Sequence, residues 1–141
     1  MSGDKWIWGL AGMLALVFVG AGRASAAENP AAEMKTAEAH AGYAAKAEAL
    51  TGATLHLHHV LNCMVGPQDK RFDPAAGNPC QGEGNGALPD LKGKAGDEQA
   101  YYAAKWVAEI ADQGIASQDL PEAHAAAHDA GIILRDATKG K

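Results

Sequence analysis

The sequence predicts an all-α fold, a helical bundle interrupted by one long irregular segment. Three observations carry this. Apolar positions recur three and four residues apart on both sides of the interruption, no stretch alternates with the period of two that a half-buried strand shows, and the glycines and prolines that break regular structure crowd into residues 66–96.

The elements follow in chain order. Met1 to Ala26 reads as a secretory signal: Lys5 gives the positive start, Ile7 to Gly20 a short apolar core, and Ala24-Ser25-Ala26 an A-x-A cleavage site. Asp4 and Arg23 depart from that pattern, and an uncleaved anchor is the alternative, although the apolar run is shorter than the roughly 20 residues of a membrane span. Cleavage would leave residues 27–141, enough for one small domain with a modest core.

Asn29-Pro30 is a good helix start, because asparagine can accept from first-turn amides and proline fits the first helical position. From there Thr36, Ala39, Tyr43, Leu50, Ala53, Leu57, Val60 and Met64 keep helical spacing, which predicts one long helix over 30–65. A break at Thr51-Gly52 would turn the fold into a four-helix bundle. Gly66-Pro67 ends the helix, and the segment "GPQDKRFDPAAGNPCQGEGNGALPDLKGKAG" follows, with seven glycines and four prolines and no expected element.

Asp97 can cap a helix from Glu98 to about Gln113, with Ala100, Ala103, Ala104, Val107, Ile110 and Ala111 inward and Gly114 as the stop. Trp106 and Tyr102 lie off that face, where they are expected to cover the glycine-rich loop. Ser117 or Asp119 caps the last helix, which runs to about Ala137 with Ala123, Ala126, Ala127, Ala130, Ile133 and Leu134 inward. Such alanine faces bury little area each, so length, a covalent link or a bound partner must add stability.

Charge and cysteines narrow the function. Past residue 26, ten Lys/Arg face sixteen Asp/Glu with no basic run, which disfavours nucleic acid and anionic membrane surfaces as partners. Cys63 and Cys80 are the only cysteines, and in an exported chain they are expected to form a disulfide that pins the loop, worth about 3 kcal/mol. The alternative makes both thiolates metal ligands, which requires a reducing supply.

The segment "LHLHHVLNC" holds the densest chemistry. At about 100° per residue, His56, His59 and Cys63 share one flank of the helix while His58 faces the other way. Imidazoles three or four residues apart leave adjacent turns and can grip one ion, so His56 and His59 form one candidate metal pair and His124 and His128 a second. His40 stands alone in the first part of the chain. A site needs three or four ligands, and with Cys63 in a disulfide the remainder would come from another helix or from Asp69, Asp73, Glu83 or Asp90 of the loop. Each histidine also has an ordinary alternative as a hydrogen-bonded or solvated helix edge.

Other chemistry is weakly represented. No CxxCH is present, so covalent haem attachment is excluded, and a b-type haem on a histidine has no supporting pattern. "GEGNG" neither follows a strand nor leads to a phosphate-binding lysine, the loop lacks calcium-loop spacing, and no nucleophile, base and oxyanion hole assemble, so no enzyme is expected.

A leader followed by acidic, alanine-rich helices bearing "EAHAGYAAKAEA" and "EAHAAAHDAG" resembles the small periplasmic histidine-rich metal-binding helical proteins. The resemblance spans residues 30–60 and 98–137 and implies a bundle that binds copper, nickel or zinc ions for buffering or tolerance. Six histidines without a repeat imply one or two sites here rather than storage. Two function classes follow: a periplasmic copper- or zinc-binding protein, or a non-catalytic interaction module whose partner docks on the disulfide-pinned 66–96 loop with Trp106 and Tyr102.

Overall fold

A computed structural model describes residues 27–139, and the expected leader over residues 1–26 lies outside them. Among the described residues the fold is all-helical: α1 (Pro30–Ala44), α2 (Leu50–Val65), the short α3 (Ala87–Leu91), α4 (Glu98–Ala116) and α5 (Leu120–Thr138). The four long helices form a ring in the order α1, α2, α4, α5, with α2 and α5 also touching across the middle, and α3 packs against α1, α2 and α4. No helix among the described residues is long and apolar enough to cross a membrane.

The expected single helix over 30–65 is two helices, and the break falls at residues 45–49 rather than at Gly52. Nothing in "AKAEA" disfavours helix locally. Tertiary packing overrides propensity, because folding α1 back against α2 buries Ala37, Ala41 and Ala44 together with Ala53, Leu57 and Val60. The turn tightens through bonds from Lys46 N–H to the Tyr43 carbonyl and from Ala47 N–H to the Ala44 carbonyl, 3.2 Å each. Gly52 lies within the first turn of α2, where a Cβ would touch that of Ala47 at 3.4 Å.

The break also resets the helical phase. The α2 face is as expected, with Ala53, Leu57, Val60 and Met64 buried, but the buried face of α1 is Glu33, Met34, Ala37, Ala41 and Ala44, not Thr36, Ala39 and Tyr43. A periodicity carried through five non-helical residues loses its register. The start of α1 is as expected: the Asn29 side chain accepts from Ala32 N–H at 3.1 Å and Pro30 opens the first turn.

Two further expectations are corrected on α4. Gly114 does not stop the helix. It is a close-approach point, where a Cβ would lie 2.7 Å from that of Ala126 and 2.8 Å from Leu57 Cδ1, and the helix continues to Ala116. Trp106 and Tyr102 do not cover the loop: they are 65% and 57% exposed, and Tyr101, about 100° further round, is the aromatic that packs inward.

Residues 66–96 are a fitted segment rather than a structureless loop. The Cys63–Cys80 disulfide forms, with Cα atoms 5.4 Å apart and both residues buried. Buried Asn62 donates both amide hydrogens, to the Asp73 carbonyl (2.8 Å) and the Gly77 carbonyl (2.7 Å), and accepts from Asp73 N–H (2.9 Å). At the far end Gly86 N–H donates to buried Glu33 (2.7 Å), and Asp90 of α3 accepts from the Asn85 backbone (3.0 Å). Gly66 and Gly86, both at positive φ, pass so closely that a Cβ on either would strike backbone of residues 65–66 or 85–86. These bonds satisfy the polar backbone that an irregular buried segment exposes.

Candidate metal centre

The α1–α2 turn is what creates a site. His40 and His56 lie eight residues either side of Glu48, so a hairpin closing there sets them opposite one another, and His59 follows one turn along α2. The His40 Nδ1 lies 3.1 Å from the His56 Nδ1 and 3.1 Å from the His59 Nδ1. One ligand nitrogen from each of the three lies within 4.8 Å of the others, and the three residues are partly buried. Among the described residues this is the one group of three or more His, Cys, Asp or Glu that could hold an ion.

The geometry suits a metal better than it suits hydrogen bonding. His59 Nε2–H donates to the Ala76 carbonyl at 2.7 Å. A carbonyl only accepts, so the proton sits on Nε2 and the neutral ring presents a bare Nδ1 lone pair to the cluster. His40 Nδ1–H can satisfy one neighbouring nitrogen, yet two lie at 3.1 Å. One ion satisfies all three. Metal–nitrogen bonds of about 2.0–2.1 Å in a tetrahedron place ligand nitrogens about 3.3 Å apart, close to the two 3.1 Å separations from His40. The Ala76 contact also fixes the His59 ring, the usual role of an outer hydrogen bond at a metal-ligating histidine.

Electrostatics favour the neutral form that metal binding needs. Burial pulls His40 down to about 4, and repulsion from His59 and then His56 adds to it. Burial, with a contribution from His59, also lowers His56. Tyr43, one turn from His40 on α1, stands with its ring centroid 5.5 Å from that of His40, edge-on, and 5.4 Å from that of His56.

The remaining candidates fall elsewhere. His58 faces the opposite flank, as expected, with its Nδ1 3.6 Å from Asp73. His124 Nε2–H donates to the Ala47 carbonyl at 2.8 Å, tying α5 to the α1–α2 turn, and His128 is 70% exposed beside Asp129. That second pair is not brought into the three-histidine group. Cys63 is committed to the disulfide. The loop carboxylates also have other partners: Asp69 binds Arg71, Asp73 accepts from Ala75 N–H, Glu83 accepts from the Thr36 hydroxyl, and Asp90 accepts from Asn85. His40 is the member of the group that sequence reasoning missed, because the turn that sets it opposite His56 left no local signal in the sequence.

Compared with family models, curated proteins and solved structures, the chain matches none.

Proposed function

We propose that this protein binds one copper or zinc ion through His40, His56 and His59, and that it serves in metal buffering or tolerance outside the cytoplasm. The convergence of three Nδ1 atoms, one of them fixed as a lone pair by Ala76, is the observation that supports this reading. Imidazole suits both metals, and copper(II) outcompetes zinc at such nitrogen sites in general. The leader-like residues 1–26 and the Cys63–Cys80 disulfide fit an exported protein in an oxidising compartment, as the resemblance to small periplasmic histidine-rich proteins implies.

Metal titration followed by thermal unfolding tests the reading. Saturation at a hundredfold excess over Kd should stabilise the fold by about 2.7 kcal/mol. His56→Ala and His59→Ala should each weaken binding at least about tenfold, or 1.4 kcal/mol, whereas His58→Ala should leave it within error. A stability unchanged by copper and zinc overturns the reading. It would favour the interaction module, for which exposed Trp106 and Tyr102, one turn apart on α4, are the supporting observation.

A further inference from the structure

We propose that the ion held by His40, His56 and His59 keeps one coordination position for a small monodentate donor, which enters beside Tyr43. This rests on the metal reading above and specifies what that site exchanges.

The donor count comes first. Zinc takes at least four ligands, and copper(II) four or more, while among the described His, Cys, Asp and Glu residues the group that brings ligand atoms together has three members. Two donors that the sequence offered are otherwise engaged: Cys63 is in the disulfide and Asp73 lies 3.6 Å from His58 on the far flank of α2. A metal site closed by four protein ligands is structural, whereas three protein ligands leave a position for water or an incoming group.

The direction of entry comes from what surrounds the group. The loop closes the His59 side, where the Ala76 carbonyl holds Nε2 and the disulfide and Asn62 hold the loop. On the His40 and His56 side stands Tyr43, whose ring centroid lies 5.5 Å from that of His40 and 5.4 Å from that of His56 and which is itself 56% exposed. A ring so placed forms a movable wall, and a donor of a few atoms can pass it where a bulky one cannot. Exchange at this position leaves the ion's oxidation state unchanged: the entering donor replaces water, and no proton or electron is required of the protein.

The test uses the protein loaded with copper(II), separated from free metal and titrated with azide. A saturable azide-to-copper(II) charge-transfer band at one azide per copper is expected. Tyr43→Ala should speed azide association several-fold in stopped-flow mixing, and Tyr43→Phe should leave that rate unchanged. Copper that loads but gives no azide band overturns the open position. So does a tyrosinate-to-copper(II) band in azide-free protein that disappears in Tyr43→Phe, because Tyr43 would then be the fourth ligand. An azide association rate unchanged in Tyr43→Ala overturns the entry route. Copper that fails to stay with the protein overturns the metal reading itself, a result distinct from the other three.

Discussion

His56/His59 and His124/His128 are two histidine pairs on helices, spaced three and four residues apart, and the structure uses them differently. The first pair faces a neighbouring helix that delivers His40 at 3.1 Å and a loop that delivers the Ala76 carbonyl. The second is divided: His124 spends its Nε2–H on the backbone of the α1–α2 turn and His128 stands in solvent beside Asp129. Helical spacing supplies at most two nitrogens. Whether they become a site depends on what the adjacent elements place opposite them. In one respect the pairs cooperate, because His124 braces the turn that sets His40 opposite His56.

The largest expected effect breaks the comparison at its decisive residue. His40→Ala should reduce zinc affinity by about a hundredfold or more, equal to 2.7 kcal/mol, in calorimetric titration. His128→Ala should leave affinity unchanged. His124→Ala should lower stability by about 1 kcal/mol through the lost turn contact while affinity stays within a factor of two or so. Strong loss from His128→Ala would mean that the second pair also binds.

A smaller effect is expected from the support behind His59. Asn62→Ala removes three hydrogen bonds that hold the backbone on both sides of Ala76. Loss of such outer contacts typically costs ten- to a hundredfold in metal affinity, and the lower end, about tenfold, is expected because the disulfide remains. Unchanged affinity in a folded Asn62→Ala protein would show that the Ala76 carbonyl does not depend on this clamp.

The smallest effect separates the fold's own pH response from that of the site. Burial, opposed by the Gly86 N–H and reinforced by Asp90, Glu83 and Glu28, raises Glu33 to about 7. The folded state therefore holds more protons than the unfolded chain between the ordinary value of 4.5 and about 7, and stability from this group falls as pH rises through that window. His40, lowered from 6.5 to about 4, acts in the opposite sense: the folded state holds fewer protons, and stability falls as pH drops through that window. Glu33→Gln should raise metal-free stability by about 1 kcal/mol at pH 8 and not at pH 5, where Glu33 is already protonated. An equal change at both pH values would contradict this assignment.

Much of the fold was legible because its signals are local. The Asn29-Pro30 start, the α2 face through Leu57 and Val60, the stop at Gly66 and the α4 and α5 faces all follow from spacing and capping chemistry. The turn at 45–49 was not legible, since its alanines, lysine and glutamate are good helix formers and only packing bends them. That one element hid both the true face of α1 and the role of His40. The disulfide pin of residues 66–96 was legible from the two cysteines, but the rest of that segment's order was hidden for a related reason: it depends on Asn62 and Glu33, residues that read as parts of helices.

In the proposed site three Nδ1 atoms, from His40, His56 and His59, share one ion. Long-range 1H–15N correlation NMR of the histidine rings, recorded without metal and with one equivalent of zinc, tests it most directly. The Nδ1 resonances of these three should shift together and saturate at one zinc, with all three rings in the Nε2–H form once zinc is bound, while His58, His124 and His128 are unmoved. Zinc-dependent shifts at His124 and His128, or at His56 and His59 without His40, would contradict it.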